Sequence, residues 1–279
     1  CPVTRLSKCI FQSTYDKVGH HIMTSPDPVL SDATASKSIS SETVGDIPFS
    51  DNLADNSKIM APILRVQNLK KSYNKTNVIL NGISFHIREG ETVALIGSNG
   101  AGKSTLLKCL VGLHENTDGV VEVLGTMFKQ TATRQQRHNI RKQIGFVFQT
   151  FNLLPRSTAL ENVALPLVYA GMSSSDRQKR AEDVLESVGL GDRMGHRPNQ
   201  LSGGQRQRVA VARALVNHPS IILADEPTGN LHSGQGEQVM DILKQLHDAG
   251  MTIIQVTHNE KFAEYGTRMV NLEDGRLVK

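Results

Sequence analysis

The sequence predicts an α/β fold, and three observations lead to it. Thr92 to Ile96 is a short apolar, partly β-branched run suited to a strand buried on both faces. It passes through a glycine-rich stretch into Lys103 to Leu113, where Leu106, Leu107, Leu110 and Leu113 repeat at helical spacing. Two further strand-length apolar runs, Ile221 to Ala224 and Thr252 to Val256, each deliver polar residues at their C-terminal ends, where α/β sheets bind ligands. Gly82 to Ile87 instead alternates Ile83, Phe85 and Ile87, the period of a half-buried strand.

The glycine-rich stretch reads Gly97-Ser98-Asn99-Gly100-Ala101-Gly102-Lys103-Ser104-Thr105, a match to GxxxxGK[ST]. Its glycines let the backbone fold tightly around phosphate oxygens, with amide N–H groups and the helix N-terminus turned toward the anion. Lys103 is long enough to reach β and γ phosphates, and the Ser104 hydroxyl can ligate Mg²⁺. A ligand-free glycine turn is the competing reading. With glycine near ~7% of residues, the pattern arises by chance in roughly one chain of this length in a hundred, and the flanking strand and helix lower that further. A nucleoside triphosphate site is expected.

The 279 residues suffice for a large core, and the formal charge of +4 is modest. Residues 1–59 hold five Lys/Arg against seven Asp/Glu, so the basic excess lies in the remainder, too diffuse to indicate nucleic acid. Cys1, Cys9 and Cys109 form no metal-spaced pair and argue against a disulfide framework. No apolar run of ~18 residues is present, so a membrane role is expected to come through a partner. Residues 1–59 contain ten serines and no sustained period, and lack the regions of a secretory signal. They are expected to be a disordered or non-native N-terminal extension, with the folded domain at 60–279.

From Ile63 the elements follow in order. Ile63 to Leu69 is a strand, and Tyr73 lies in the connection after it. Two roles are open to that aromatic: stacking on a base, or packing on the sheet. Glu89-Gly90 turns the chain after Ile87. Beyond the loop-bound helix come a strand at Val120 to Leu124, a basic helical stretch around Thr131 to Lys142, and a buried strand at Ile144 to Phe148. Gln149 follows, a carboxamide able to hydrogen-bond a metal-bound water or to serve as an ordinary loop residue. Phe151 to Met172, with Pro155 and Pro166, and the amphipathic helix Asp176 to Val188 are expected to build the helical subdomain, about 150–205, with some apolar side chains left for a partner helix.

Leu201-Ser202-Gly203-Gly204-Gln205 then runs into the helical RQRVAVARAL. Glycines at a helix start expose amides at its positive end, a second anion site in the chain, with Ser202 as an ordinary cap in the competing reading. At the end of Ile221 to Ala224, Asp225 is placed to hold a Mg²⁺ hydration shell and Glu226 to orient or deprotonate an attacking water. His258, after Thr252 to Val256, is placed to hydrogen-bond a γ-phosphate or to remain a surface His. MVNLEDGRLV closes as a hairpin with Asp274-Gly275 at its turn.

The phosphate loop, Gln149, LSGGQ, ILADEP and His258 occur in an order and spacing that resemble ATP-binding cassette (ABC) ATPases, over Ile63 to Lys279. The resemblance implies a P-loop NTPase (RecA-like) core with an antiparallel β subdomain and a small helical subdomain, ATP and Mg²⁺ as cofactors, and a head-to-tail homodimer with each ATP between one phosphate loop and the partner's LSGGQ helix. It implies that Tyr73 stacks on adenine and that Gly97 to Thr105 bind phosphates and metal. Gln149 would sense the γ-phosphate and help hold Mg²⁺ with Ser104 and Asp225. Ser202 to Gln205 would act across the dimer, Glu226 as general base and His258 as switch. FNLLP, TALENVALPL and DEPTGNL are similar to the lipoprotein-release, macrolide-export and cell-division branch; GSNGAGKSTLLKCL is also similar to phosphonate importers. An ATPase subunit driving separate permease subunits at the inner face of the membrane is expected, with a mechanotransmitting cassette or an importer as alternatives. Where that branch usually has Asp after GNL, this chain has His232, which bears on coupling between the two sites.

Overall fold

The computed structural model describes residues 62–74, 77–128, 132–258 and 263–278; the expectation for residues 1–59 lies outside them. Two sheets form. Strands β1 (Leu64–Ser72), β2 (Val78–Ile87), β4 (Asp118–Val123) and β5 (Thr126–Phe128) make an antiparallel sheet in the order β2-β1-β4-β5. Strands β3 (Thr92–Ile96), β6 (Ile144–Val147), β7 (Ile221–Asp225), β8 (Thr252–Val256), β9 (Arg268–Glu273) and β10 (Arg276–Val278) make the second, in the order β10-β9-β3-β8-β7-β6. It is parallel except for the terminal β9–β10 hairpin.

The parallel sheet is covered on both faces, which is why its central strands are almost wholly apolar. Along β7 the side chains alternate: Ile221 and Leu223 join a core with β1, β2, β4 and helix α1 (Lys103–Leu110), while Ile222 and Ala224 face the other way. That second core gathers α3 (Ala159–Tyr169), α4 (Ser174–Ser187), α5 (Gly203–Leu215) and α6 (Ser233–Asp248). The basic helix α2 (Arg134–Arg141) buries only Ile140. Thr158 caps α3 through a box with Glu161, and fully buried Asn162 ties the preceding turn by bonding Leu154 N at 2.7 Å and Thr158 O at 2.9 Å.

Several expected boundaries move for identifiable reasons. Strand β2 begins at Val78 because the chain continues in pairing through Gly82, where a left-handed φ of 77° accompanies a register shift. Helix α1 stops at Leu110 instead of Leu113: Gly112 turns left-handed and the Leu113 and His114 amides both return to Lys108 O, a glycine-dependent helix end. Pro166 sits inside α3 without ending it. The three-residue β5 is too short to announce itself, and α6, whose Val239, Met240, Leu243 and Leu246 are buried at helical spacing, is an element that the reading above passed over.

Register positions the site. Leu95 pairs with Val256, Asp225 with Val256, and Val147 with Ala224, so four strands end level with one another. The residues that follow them, Gly97, Glu226, Thr257 and Gln149, therefore come out along one edge of the sheet, where a doubly covered parallel sheet opens its crevice.

Candidate active site

At that edge the loop after β3 wraps itself around the Lys103 ammonium. Lys103 is 5% exposed, and its Nζ donates to Gly97 O at 2.8 Å and Ser98 O at 2.9 Å. Gly97 is required by close approach: a Cβ there would overlap the Leu272 carbonyl of β9. Gly102, left-handed at φ 102°, is the N-cap of α1, so the first amides of that helix face the loop. Ser98, Asn99 and Gly100 are exposed, Ala101 is buried, and Thr105 is half-buried in the first turn.

Across a separation of 121 residues, Ser104 Oγ donates to Asp225 Oδ1 at 2.9 Å. Burial above all raises the Asp225 carboxyl above its ordinary range; Glu226 adds to this, while the Ser104 hydroxyl, Lys108 and Lys103 oppose it. A hydroxyl and a half-buried, charge-strained carboxylate are hard oxygen donors suited to Mg²⁺, which keeps most of its coordination for water and phosphate. The residues present thus fit a magnesium nucleotide. Such a group would supply a polarised phosphoanhydride; Lys103 would be the cation for its phosphates, and Ser104 and Asp225 would be the protein oxygens for the metal.

Glu226 begins the turn after β7 in a left-handed conformation, φ 46°, uncommon outside glycine. Two backbone bonds hold it there: its N–H donates to Val256 O and its carbonyl accepts from Gly229 N, both at 3.0 Å. Its side chain is 17% exposed, and Oε2 lies 3.4 Å from Nδ1 of the exposed His258. A Cβ at Gly229 would stand 2.9 Å from Gln149 Nε2 and 3.3 Å from Glu226 Oε2, so the backbone at 229 passes beside both side chains. Asn230, which the sequence reading missed, donates through Nδ2 to Gln149 O at 2.9 Å. Its only sequence signal was its place in the GNL stretch.

Ser202 to Gln205 lie in a different neighbourhood. Ser202 is the N-cap of α5 and shares a capping box with Gln205, so each side-chain oxygen accepts from the other residue's backbone N–H. Gly203 and Gly204 supply the first helical amides and pack against Leu231 and Gln235. The cap reading and the anion-site reading of this stretch are therefore compatible. Tyr73 is 55% exposed. Its hydroxyl lies 2.9 Å from His114 Nδ1, and the Lys71 ammonium sits 5.0 Å from its ring centre. Burial, then Lys108 and Lys71, lower the His114 pKa, which favours an imidazole able to accept the phenol proton.

His232 is the N-cap of α6 with φ −67° and ψ 153°, and its side chain makes no capping hydrogen bond. Asp is among the best residues at such a position, because its carboxylate accepts from the N2 or N3 amide and faces the helix dipole. His232→Asp is expected to add about 1 kcal/mol of stability, a rise of roughly 2–4 °C in melting temperature. Thermal unfolding checks this, and an unchanged or lower midpoint would contradict it.

A family model for the ABC transporter matches residues 80–229. An uncharacterised ABC transporter ATP-binding protein of Thermotoga maritima is 48% identical over 221 residues, 78% of this chain and 94% of that protein. The macrolide export ATP-binding/permease protein MacB of Brucella melitensis is 44% identical over 78% of this chain, which spans 34% of that longer protein. Among solved structures, an ATP-binding cassette captured as a dimer in a post-hydrolysis state with ADP and Pi superposes with a TM-score of 0.71 at 42% identity, covering 77% of this chain and 97% of that one. With a phosphate loop, a strand-end carboxylate pair and an LSGGQ helix set on the matching fold, this chain belongs to the ABC transporter family as an ATP-binding ATPase cassette.

Proposed function

We propose that this chain hydrolyses MgATP as one half of a head-to-tail homodimer and drives a separate membrane permease in export or lipoprotein release. Residues 60–279 form its ATPase domain, with a helical subdomain at about 150–205. The observation that carries the catalytic half is the grouping of Lys103, Ser104, Asp225, Glu226, Gln149 and His258 at the level ends of four parallel strands. In this reading Gly97 to Thr105 hold the phosphates, and Ser104, Asp225 and Gln149 hold Mg²⁺ and its water. Glu226 takes the proton of the attacking water, and His258 reports the γ-phosphate. Tyr73 stacks on the base, and Ser202 to Gln205 complete the partner's site. The macrolide-export relatives support the export direction.

Attachment to the permease is assigned to a groove of about 390 Å³ between α2 and α3, lined by Arg141 and Lys142 of α2, by Leu165, Pro166 and Tyr169 of α3, and by Ala170. Among the described residues no helix is long and apolar enough to cross a membrane. A lining of apolar side chains beside the exposed Lys142 fits an amphipathic helix of the permease bearing acidic residues. Tyr169, 75% exposed, is the natural anchor. Tyr169→Asp is expected to weaken association with permease-containing vesicles by roughly tenfold or more, the scale of an aromatic anchor, and to leave turnover of the free cassette intact. Undiminished association would remove the groove from the proposal.

A further inference from the structure

Gln149 is followed by a backbone that ought not to be stable by itself. Phe151 and Asn152 are successive left-handed residues, φ 59° and 50°; Asn tolerates that region, but Phe does so rarely. One side chain of α5 holds them. Arg213 donates through one guanidinium nitrogen to Phe151 O at 2.8 Å and through the other to Asn152 O at 2.6 Å. That is the fork geometry for which arginine is suited and a lysine is not. Two neighbours on α5 add to the grip. The Arg206 guanidinium lies over the Phe151 ring at 5.1 Å, and the fully buried Gln207 points its Nε2 to Phe148 O at 3.4 Å.

Helix α5 is itself pressed on the sheet, since a Cβ at Gly145 of β6 would stand 2.5 Å from Ala214 O. The segment from Phe148 to Asn152 is thus held on both sides of Gln149 by the helix whose first turn is Gly203-Gly204. Burial lowers the pKa of Arg213, the mark of a charge placed away from water for the sake of its partners.

We infer that Arg213 is a positioning residue for Gln149: by fixing the carbonyls of Phe151 and Asn152 it sets where the Gln149 carboxamide stands beside Glu226, and it ties that placement to the LSGGQ helix. This rests on the catalytic reading of Gln149 given above. Arg213 touches neither nucleotide nor water in this assignment and acts through the backbone alone.

The test is a double-mutant cycle on the full chain, with kcat and KM for MgATP measured for Gln149→Ala, Arg213→Ala and the pair. Misplacing a reacting group by an ångström costs up to roughly 10²-fold, so Arg213→Ala is expected to lower kcat by roughly ten- to a hundredfold. In the Gln149→Ala background the same change is expected to cost less than about twofold, because the residue it positions is gone. Multiplying losses would overturn the inference and leave Gln149 catalytic; an unaffected Gln149→Ala protein would overturn both. Arg213→Lys, which keeps the charge but not the fork, is expected to recover only part of the rate, and full recovery would count against the geometry. Hydrogen exchange of the peptide spanning residues 148–153 gives a readout independent of turnover. It should quicken severalfold in both Arg213 variants, and unchanged exchange would overturn the clamp.

Discussion

Glu226→Gln is expected to lower ATP turnover by roughly 10² to 10⁴, the range for loss of a general base, while nucleotide still binds. The substitution is close to isosteric, and what holds the residue is backbone: the bonds to Val256 O and from Gly229 N, both 3.0 Å, do not depend on the side chain. The φ of 46° at Glu226 is a strained conformation of the kind that gathers at functional sites, here aiming a carboxylate toward Gln149 and His258. Gln keeps the hydrogen-bonding shape and loses the proton acceptor. Binding of a fluorescent ATP analogue should therefore be unaltered, and a dimer should accumulate with ATP on size-exclusion chromatography. Wild-type turnover in this variant would place the base elsewhere.

Asp225→Asn is expected to abolish measurable turnover and, at neutral pH without nucleotide, to raise the melting temperature. The Asp225 carboxyl is pushed above its ordinary range chiefly by burial, so the folded chain holds its proton more tightly than the unfolded chain does. Stability then falls as pH rises from the ordinary carboxylate pKa of ~3.9 through the raised value, and the whole penalty is present above it. Asn carries no such penalty and still accepts from Ser104 Oγ. The gain over wild type should vanish below pH ~3.9, where both side chains are neutral. Millimolar MgATP should reverse the order by stabilising wild type far more than the variant. Equal melting temperatures at pH 7 without nucleotide would contradict the electrostatic account, and retained turnover would contradict the metal assignment.

Much of this molecule is legible in contiguous residues, because the interactions concerned are local. The strand, glycine loop and helix from Thr92 onward depend on burial period, backbone freedom and dipole direction within about twenty positions, and they form where they were expected, the helix ending three residues early at Leu110. Ser202 is a helix cap with its partner Gln205 three residues away, for the same reason. The family resemblance of the motifs led to the matching fold.

Other features are decided only by tertiary structure. The ends of β3, β6, β7 and β8 come level because of strand order and register, and this alone brings Ser104 to Asp225 across 121 residues. The turn at Gly112 overrides the apolar spacing that carried the expected helix to Leu113, since a left-handed glycine satisfies the last carbonyls sooner. Arg213 shows the contrast most plainly. In sequence it is one of three arginines on α5, indistinguishable from a solvated one, and only packing of α5 on β6 brings its guanidinium to two carbonyls some sixty residues upstream. Periodicity records which face of an element is apolar; it carries no information about which backbone that face will meet.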